Sequence, residues 1–297
     1  MVDELFNDDI DPYDELYRII RDENRCAKLK SDMENLWVTY HPYADSDFPK
    51  QLAQDFHARF WEMYLTCTFI YCSFKVIPKQ TRAKGPDIKI DHASTTIWVE
   101  AVIPTSGDPS KPDSVPNLQM GVTQQVPDDQ IILRYRSVIR DKYFDKYFNY
   151  LEDKIITDKD CYIIALNGCK IRRGDREPPR IVRSVFPIGW EVITIDKSSH
   201  KVVNRGYQYR SSLKKASGSQ VDTDIFTKTE YQHISAVMFS NVDVANPTSV
   251  MGEDFIIVRN PLAPRQLPDD FPKVGWEYKA ELSQNEIVLF SRNLRQH

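Results

Sequence analysis

The spacing of hydrophobic residues changes several times along the first half of the chain. Apolar residues recur at helical spacing from Asp11 to about Trp37, and again after Asp47, where an acidic N-cap and an early proline favour a helix. The following run, 68–77, is rich in β-forming residues and stops at Pro78, so it predicts a first strand.

The next segments continue this alternation. Two short apolar and β-branched runs, 87–90 and 96–103, predict the second and third strands. A polar, proline-containing loop over 104–129 leads to a long predicted helix, 130–151, and then to an apolar strand at 162–166. The predicted order is therefore helix, three strands, helix, strand.

The remainder of the chain, 171–297, is less regular. The polar and basic segment 197–220 predicts a flexible excursion. Further strands are predicted at 192–194, 234–239 and 255–258. We therefore expect an α/β fold with a mixed sheet in one elaborated domain, 1–297, which carries an N-terminal helix and a β-rich C-terminal extension over 171–297.

Composition narrows the function only slightly. A hydrophobic content of 41% over 297 residues is enough for a sizeable core, and the net charge of -4 argues against a generally basic nucleic-acid-binding surface. The five cysteines form no C-x-x-C pair, which predicts free thiols and not a zinc site. The acidic N-terminus lacks the features of a signal peptide, and no apolar run reaches the ~20 residues of a membrane span. We expect a cytoplasmic protein without a membrane segment.

Two acidic residues lie within predicted strands. Asp87 follows Pro86, and Glu100 lies thirteen positions later, with a turn at 91–94 between them. Two adjacent antiparallel strands would hold the two carboxylates side by side, and strand alternation places Glu100 on the same face as Trp98. A carboxylate on a half-buried strand face needs a partner or a metal ion.

This arrangement resembles the PD-(D/E)xK nuclease superfamily, which has the restriction-endonuclease-like fold. The residues that carry the resemblance are Glu62 on the helix, Pro86-Asp87 at the second strand and Glu100-Ala101-Val102 on the third. The resemblance covers 48–168, and its specificity comes from the order of the elements, because the motif itself is short. It implies an αβββαβ nuclease-like core with a mixed sheet.

The resemblance also implies an activity. The expected activity is hydrolysis of phosphodiester bonds, with DNA as the expected partner and Mg²⁺ or Mn²⁺ as the cofactor. Asp87 and Glu100 would ligate the metal ion directly, and the backbone carbonyl of Ala101 would be the third protein ligand. Glu62 would contact the ion directly or through a metal-bound water. A divalent ion makes the attacking water more acidic and the phosphorus more electrophilic.

One position departs from the family pattern, because Val102 occupies the place of the third-strand lysine. Either the site is inactive or another cation replaces the lysine, and in some branches of the superfamily the lysine lies on the following helix. Helical phase places Lys142 and Lys146 on the apolar face of the third helix, with Lys142 as the first choice. A further interpretation is structural, in which the lysine only extends its aliphatic stem along that apolar face.

Contacts with nucleic acid are predicted away from the acids. Arg134 lies near the start of the third helix, where it is either a phosphate contact or, the favoured alternative, an ordinary polar residue of the loop. Cations alternate with aromatics over 201–215, a composition that suits phosphates and bases but also a solvated hairpin. The candidates in that segment are Arg205, Arg210, Lys214 and Lys215. The rival interpretation is a catalytically inactive nuclease-fold protein that binds nucleic acid or another protein. A homodimer would suit an enzyme that cuts both strands.

Overall fold

The N-terminal quarter of the chain is helical. The computed structural model describes residues 4–119, 121–284 and 286–294. Its first helices are α1 (Glu15–Asp22), α2 (Ala27–Tyr40), α3 (Phe48–Gln54) and α4 (Phe56–Tyr71). The single helical stretch predicted from Asp11 to Trp37 is two helices, because Glu23 has an extended backbone and ends α1.

Helix α4 is buried over most of its length, on every side. The residues from Thr68 to Tyr71 complete this helix, and only Lys75–Ile77 form a strand. The strand predicted over 68–77 is therefore wrong in its first part. A helix that is buried all round shows no polar stripe, so its sequence resembles that of a buried strand.

One large mixed sheet organises the described residues. The strands are β1 (Lys75–Ile77), β2 (Ile88–His92), β3 (Thr95–Val102), β4 (Cys161–Asn167), β5 (Ile188–Ile195), β6 (Val202–Tyr209), β7 (Ser212–Lys214), β8 (Gln220–Asp222), β9 (Ala236–Ser240), β10 (Ile256–Arg259), β11 (Trp276–Leu282) and β12 (Ile287–Asn293). Eight of them form the sheet, in the order β1-β2-β3-β4-β9-β10-β11-β12. Strands β1 to β3 form an antiparallel meander, and β3, β4 and β9 are parallel. The α/β class and the mixed sheet are as predicted.

The C-terminal part of the chain contributes to the same sheet. Strand β9 pairs with β4, and β10, β11 and β12 extend the sheet beyond it. The sequence analysis missed β11 and β12. The segment 197–220, predicted to be flexible, contains β6 and β7, which pair with β5 and β8 in two hairpins outside the main sheet.

Helices cover both faces of the sheet, so β3 lies between two apolar layers. Ile97 and Val99 pack into the core formed with α4, whereas Trp98 packs into the core on the opposite face. That second face is covered by α5 (Asp128–Lys142), which continues through a π-turn, Tyr143–Tyr147, into α6 (Phe148–Glu152). A short helix, α7 (Arg180–Arg183), follows β4. Within the described ranges, none of the helices has both the length and the apolar character that crossing a membrane requires.

Candidate active site

The turn before β2 is fixed by close packing and by hydrogen bonds. A Cβ atom on Gly85 would lie 2.6 Å from Ile155 Cγ2, so only glycine allows this approach. Arg82 Nη2 donates to the carbonyls of Pro86 and Asp87, at 2.8 and 2.9 Å. These contacts hold Asp87 at the start of β2.

Asp87 and Glu100 lie on the same face of the sheet. Lys89 pairs directly with Trp98 in the β2–β3 ladder, and its Nζ lies 5.1 Å from the centre of the Trp98 ring. Because side chains alternate, Asp87 and Glu100, each two positions from this pair, share its face. The sequence prediction placed them side by side on adjacent strands, and the β2–β3 pairing is antiparallel as expected.

The backbone of Ala101 faces Asp87. Its N–H donates a 2.8 Å hydrogen bond to Asp87 Oδ2. In an extended strand, the N–H and C=O of one residue point to the same side, so the Ala101 carbonyl also points towards Asp87. Two carboxylates and one carbonyl therefore lie at the junction of β2 and β3.

Lys142 reaches the sheet from the last turn of α5. Its Nζ lies 2.7 Å from Glu100 Oε1, and the Tyr150 hydroxyl lies 3.4 Å from Glu100 Oε2. Only 4% of Glu100 is exposed, so this lysine compensates a buried charge. Lys146, which helical phase also placed on the apolar face, is exposed, so that placement is wrong. The π-turn, Tyr143–Tyr147, changes the helical phase at this residue.

Glu62 lies on α4, also buried, and three donors surround it. Tyr40 donates to Oε1 at 2.6 Å, Lys79 Nζ lies 2.5 Å from the same oxygen, and Arg59 donates to Oε2 at 2.6 Å. The sequence analysis missed all three donors. The position of Arg59, one helical turn before Glu62, was the one available signal. Both oxygens of Glu62 are thus engaged by the protein.

The carboxyl groups influence one another. Burial raises the pKa of Asp87, and the charge of Glu100 raises it further, while Lys79, the Ala101 N–H and Lys142 act in the opposite direction. A site that disfavours the charged form of Asp87 beside a second carboxylate is a site that a cation would stabilise.

The same pattern extends to Glu62. Burial raises the pKa of the Glu62 carboxyl, the charge of Asp87 adds to this effect, and Lys79 and Arg59 oppose it. The pKa of Lys79 is raised in turn, because the charges of Glu62 and Asp87 outweigh the opposing effect of burial. Asp87 is therefore coupled electrostatically to both glutamates.

A cavity of about 650 Å³ opens beside these residues. Asp87 and Tyr150 line it, together with cations that could contact an anionic substrate. The lining cations are Arg59, Lys79, Arg82 and Lys84. Glu62 and Glu100 are not among the described lining residues, but each contacts a side chain of the lining. Glu62 contacts Arg59 and Lys79, and Glu100 contacts Tyr150.

The donor set fits magnesium better than zinc. Among the residues that the structure describes, no group of three or more His, Cys, Asp or Glu side chains is arranged to hold a metal ion. Mg²⁺ is commonly held by one or two carboxylates and keeps several waters, so Asp87, Glu100 and the Ala101 carbonyl would suffice. The residues present therefore fit a hard divalent cation.

Two predicted nucleic-acid contacts instead attach segments to α5. Arg134 Nε donates to the Thr105 carbonyl at 2.7 Å, and Arg210 pairs with Asp129 at 2.8 Å. Arg210 is largely covered, with 16% of its side chain exposed, so it contributes little to an open binding surface.

The other three predicted contacts lie on the two hairpins. Arg205 pairs with Glu191 across β5 and β6 at 3.4 Å, and Lys214 and Lys215 are exposed at the end of β7. All five predicted cations lie outside the described lining of the cavity that contains Asp87. The structure therefore does not bring them together with the acids.

No protein-family model matches the chain, and no curated protein or solved structure matches it either. The resemblance to nucleases thus rests on the residues of this chain and on the order of its elements.

Proposed function

We propose that this protein is a divalent-metal-dependent nuclease that hydrolyses phosphodiester bonds in DNA. The observation that carries the proposal is the position of Lys142, whose Nζ lies 2.7 Å from Glu100 on the sheet face shared with Asp87. A lysine amine beside the strand carboxylates supplies the charge that Val102 cannot. This contact favours an equipped site over one that has only kept the fold.

The order and pairing of the elements support a restriction-endonuclease-like core. From α4 to β4 the chain runs helix, three strands, helix, strand. The three strands form an antiparallel meander, and β4 lies parallel beside β3. Asp87 precedes β2 and Glu100 lies near the end of β3, so both acids fall at the positions that the family motif requires.

Asp87, Glu100 and the Ala101 carbonyl would hold Mg²⁺ or Mn²⁺. When bound, such an ion supplies a Lewis acid for the phosphoryl oxygen and lowers the pKa of the attacking water. Lys142 has three N–H donors and gives one to Glu100, so the others can face a phosphate. Its charge would stabilise the negative charge that develops in the transition state.

Glu62 acts through its partners in this scheme. It fixes Arg59 and Lys79, both of which line the cavity, and these cations would bind the phosphates that flank the reacting group. Because two cations, Arg59 and Lys79, already compensate the Glu62 carboxylate, whereas one described cation, Lys142, contacts Glu100, we assign Glu62 a positioning role and not that of a direct metal ligand.

The test is a cleavage assay with the full chain. Linear, circular and single-stranded DNA and RNA are incubated with Mg²⁺, Mn²⁺ or EDTA, and Glu100→Ala is assayed in parallel. We expect metal-dependent cleavage of DNA that EDTA and Glu100→Ala both abolish, and cleavage of the circular substrate would show endonuclease activity. If the wild-type protein cleaves none of the substrates, a catalytically inactive nuclease-fold binding protein becomes the better conclusion.

A further inference from the structure

A second cavity, of about 340 Å³, lies between α5 and the β7–β8 hairpin. The hairpin is anchored there by Leu213, which packs with Ile132 and Leu133. The lining is rich in cations and hydroxyl groups. Its main residues are Leu133, Arg136, Ser137, Arg140, Lys215 and Tyr231.

The guanidinium of Arg136 is buried without full compensation. Only 3% of the residue is exposed. Its Nε donates to the Asp222 carbonyl at 2.6 Å, its Nη2 lies 3.4 Å from the Tyr231 hydroxyl, and its carbon lies 5.3 Å from the centre of the Tyr231 ring. Nη1 is buried and has no hydrogen-bond partner within the described ranges. A buried cation with an unused donor is costly unless an anion binds it.

The nearest acids are already engaged elsewhere. Lys228 Nζ lies 2.6 Å from an Asp222 carboxylate oxygen and 3.0 Å from one of Asp224. Burial lowers the pKa of Arg136, and the attraction of these two carboxylates is a smaller effect. Among the described residues, neither of these two carboxylates accepts a hydrogen bond from Arg136.

Further positive charge lies around the cavity. Lys215 is exposed at its rim, and no salt bridge to Lys215 occurs among the residues described. Arg140 also lines the cavity and lies 3.4 Å from its chain neighbour, Asp141. Asp222 is the one acid in the described lining, which also contains the cations Arg136, Arg140 and Lys215. The cavity thus carries a net positive charge.

We propose that this cavity binds a phosphate group, either as the free ion or as part of a nucleotide. The Arg136 guanidinium and the Lys215 amine, which both line the cavity, would form charge-assisted hydrogen bonds with the phosphate. The apolar side chains of Leu133 and Val221 leave a wall for an attached base, and the cavity volume falls within the range of small-molecule sites. The site does not depend on the proposed nuclease activity, because its described lining shares no residue with that of the cavity beside Asp87.

The experiment measures ligand binding to the full chain by thermal melting and calorimetry. The probes are inorganic phosphate, a nucleoside monophosphate, the same nucleoside without phosphate, and sodium chloride at matched ionic strength. We expect both phosphate-bearing probes to raise the melting temperature, and the nucleoside and chloride to leave it unchanged. Tighter binding of the monophosphate would identify a nucleotide as the source, whereas equal binding would identify the free ion. A wild-type protein that responds to neither phosphate probe overturns the proposal.

Variants locate the binding. Lys215→Ala should weaken phosphate binding about tenfold, which is the effect of losing roughly one charge-assisted hydrogen bond. Arg136→Met should abolish phosphate binding. Lys214→Ala is the matched control, since it removes a neighbouring exposed lysine outside this cavity. Lys84→Ala, in the lining of the larger cavity, should also bind normally.

Two results would contradict the assignment. One is unchanged phosphate affinity in Lys215→Ala. The other is loss of affinity in Lys84→Ala with none in Lys215→Ala, because that places the anion in the larger cavity. If Arg136→Met does not fold, Lys215→Ala and the charge-reversing Lys215→Glu still decide the question, since both alter an exposed side chain.

Discussion

Lys142 donates a 2.7 Å hydrogen bond to Glu100, a residue 42 positions earlier in the chain. The lysine side chain is one-quarter exposed, while that of the glutamate is 5% exposed. The contact joins the end of α5 to β3, immediately before the helix widens into the π-turn. A lysine on the apolar face of a helix therefore ends at a carboxylate and not in solvent.

We predict that Lys142→Ala lowers the cleavage rate by about two to three orders of magnitude, the usual effect of losing one transition-state charge contact. Metal affinity should not weaken, because the lysine repels the ion and does not ligate it. Single-turnover cleavage and calorimetric titration with Mn²⁺ measure the two quantities separately.

Lys146→Ala is the matched control, because it removes an exposed lysine one turn further along. It should cleave at the wild-type rate. Normal cleavage by Lys142→Ala would show that the contact with Glu100 is structural only.

A second prediction concerns the pH dependence of stability in EDTA. A carboxyl group with a raised pKa contributes stability below its ordinary pKa, 3.8 for aspartate, and loses it as the pH rises through the folded-state pKa. Asp87→Asn removes this loss, so the variant should melt at a higher temperature than the wild type at pH 7. The difference should shrink as the pH falls through the raised folded-state pKa of Asp87, and it should be smallest below about 4.

Asp91→Asn is a suitable comparison on the same strand, since Asp91 is half-buried near the solvent end of β2. The melting temperature of Asp91→Asn at pH 7 should not rise above that of the wild type. A lower melting temperature of Asp87→Asn at neutral pH would mean that the hydrogen bond from Ala101 outweighs burial and the repulsion from Glu100.

The third prediction is that Lys79→Met destabilises the protein by about 2 kcal/mol, because buried Glu62 loses one of its three donors. Arg59 and Tyr40 remain, so the loss is smaller than for a fully unpaired charge. Urea denaturation at pH 7 measures it.

Lys75→Met, at an exposed position of β1, is the control and should change stability by less than about 0.5 kcal/mol. Equal stability of the two variants would show that the contact between Lys79 and Glu62 contributes nothing.

The fourth prediction tests the packing that holds Asp87. Gly85→Ala would place a methyl group 2.6 Å from Ile155 Cγ2, so either the turn or the isoleucine must move. We expect a loss of about 1–3 kcal/mol, as for other overpacked sites, together with reduced cleavage.

The double variant Gly85→Ala/Ile155→Ala provides the check. Removing the isoleucine branch makes room for the new methyl group, so the double variant should recover part of the cleavage rate relative to Gly85→Ala. Additive losses in the double variant would argue that the two residues do not interact.

The local pattern of apolar and polar residues was sufficient to predict the helix and strands around Asp87 and Glu100. Strand periodicity placed Glu100 on the face of Trp98, and helical phase placed Lys142 on the inward face of α5, as the structure shows. It failed for 68–71, because Thr68 and Phe69 are fully buried and these β-forming residues follow tertiary packing instead of local preference.

Contacts between distant segments could not be predicted from local pattern. Lys79 reaches Glu62 from the turn after β1, and Tyr40 reaches it from α2, 22 positions away. Neither approach leaves a periodic signal in the sequence. Strand β11 was missed because three charged residues, Glu277, Lys279 and Glu281, interrupt its apolar pattern. Strand β12 was missed because its apolar residues, 287–290, are consecutive and do not alternate with polar ones.

The position of β9 beside β4 has a consequence for how the chain is made. Residues 161–167 form a completely buried strand, yet the neighbour that pairs with its free edge lies at 236–240. During synthesis, Asp87, Glu100 and Lys142 would emerge well before that edge could be closed. Parallel pairings over such distances form slowly, and an open apolar edge can associate with other chains in the meantime. The nascent protein should therefore depend on chaperones until the last third of the chain has left the ribosome.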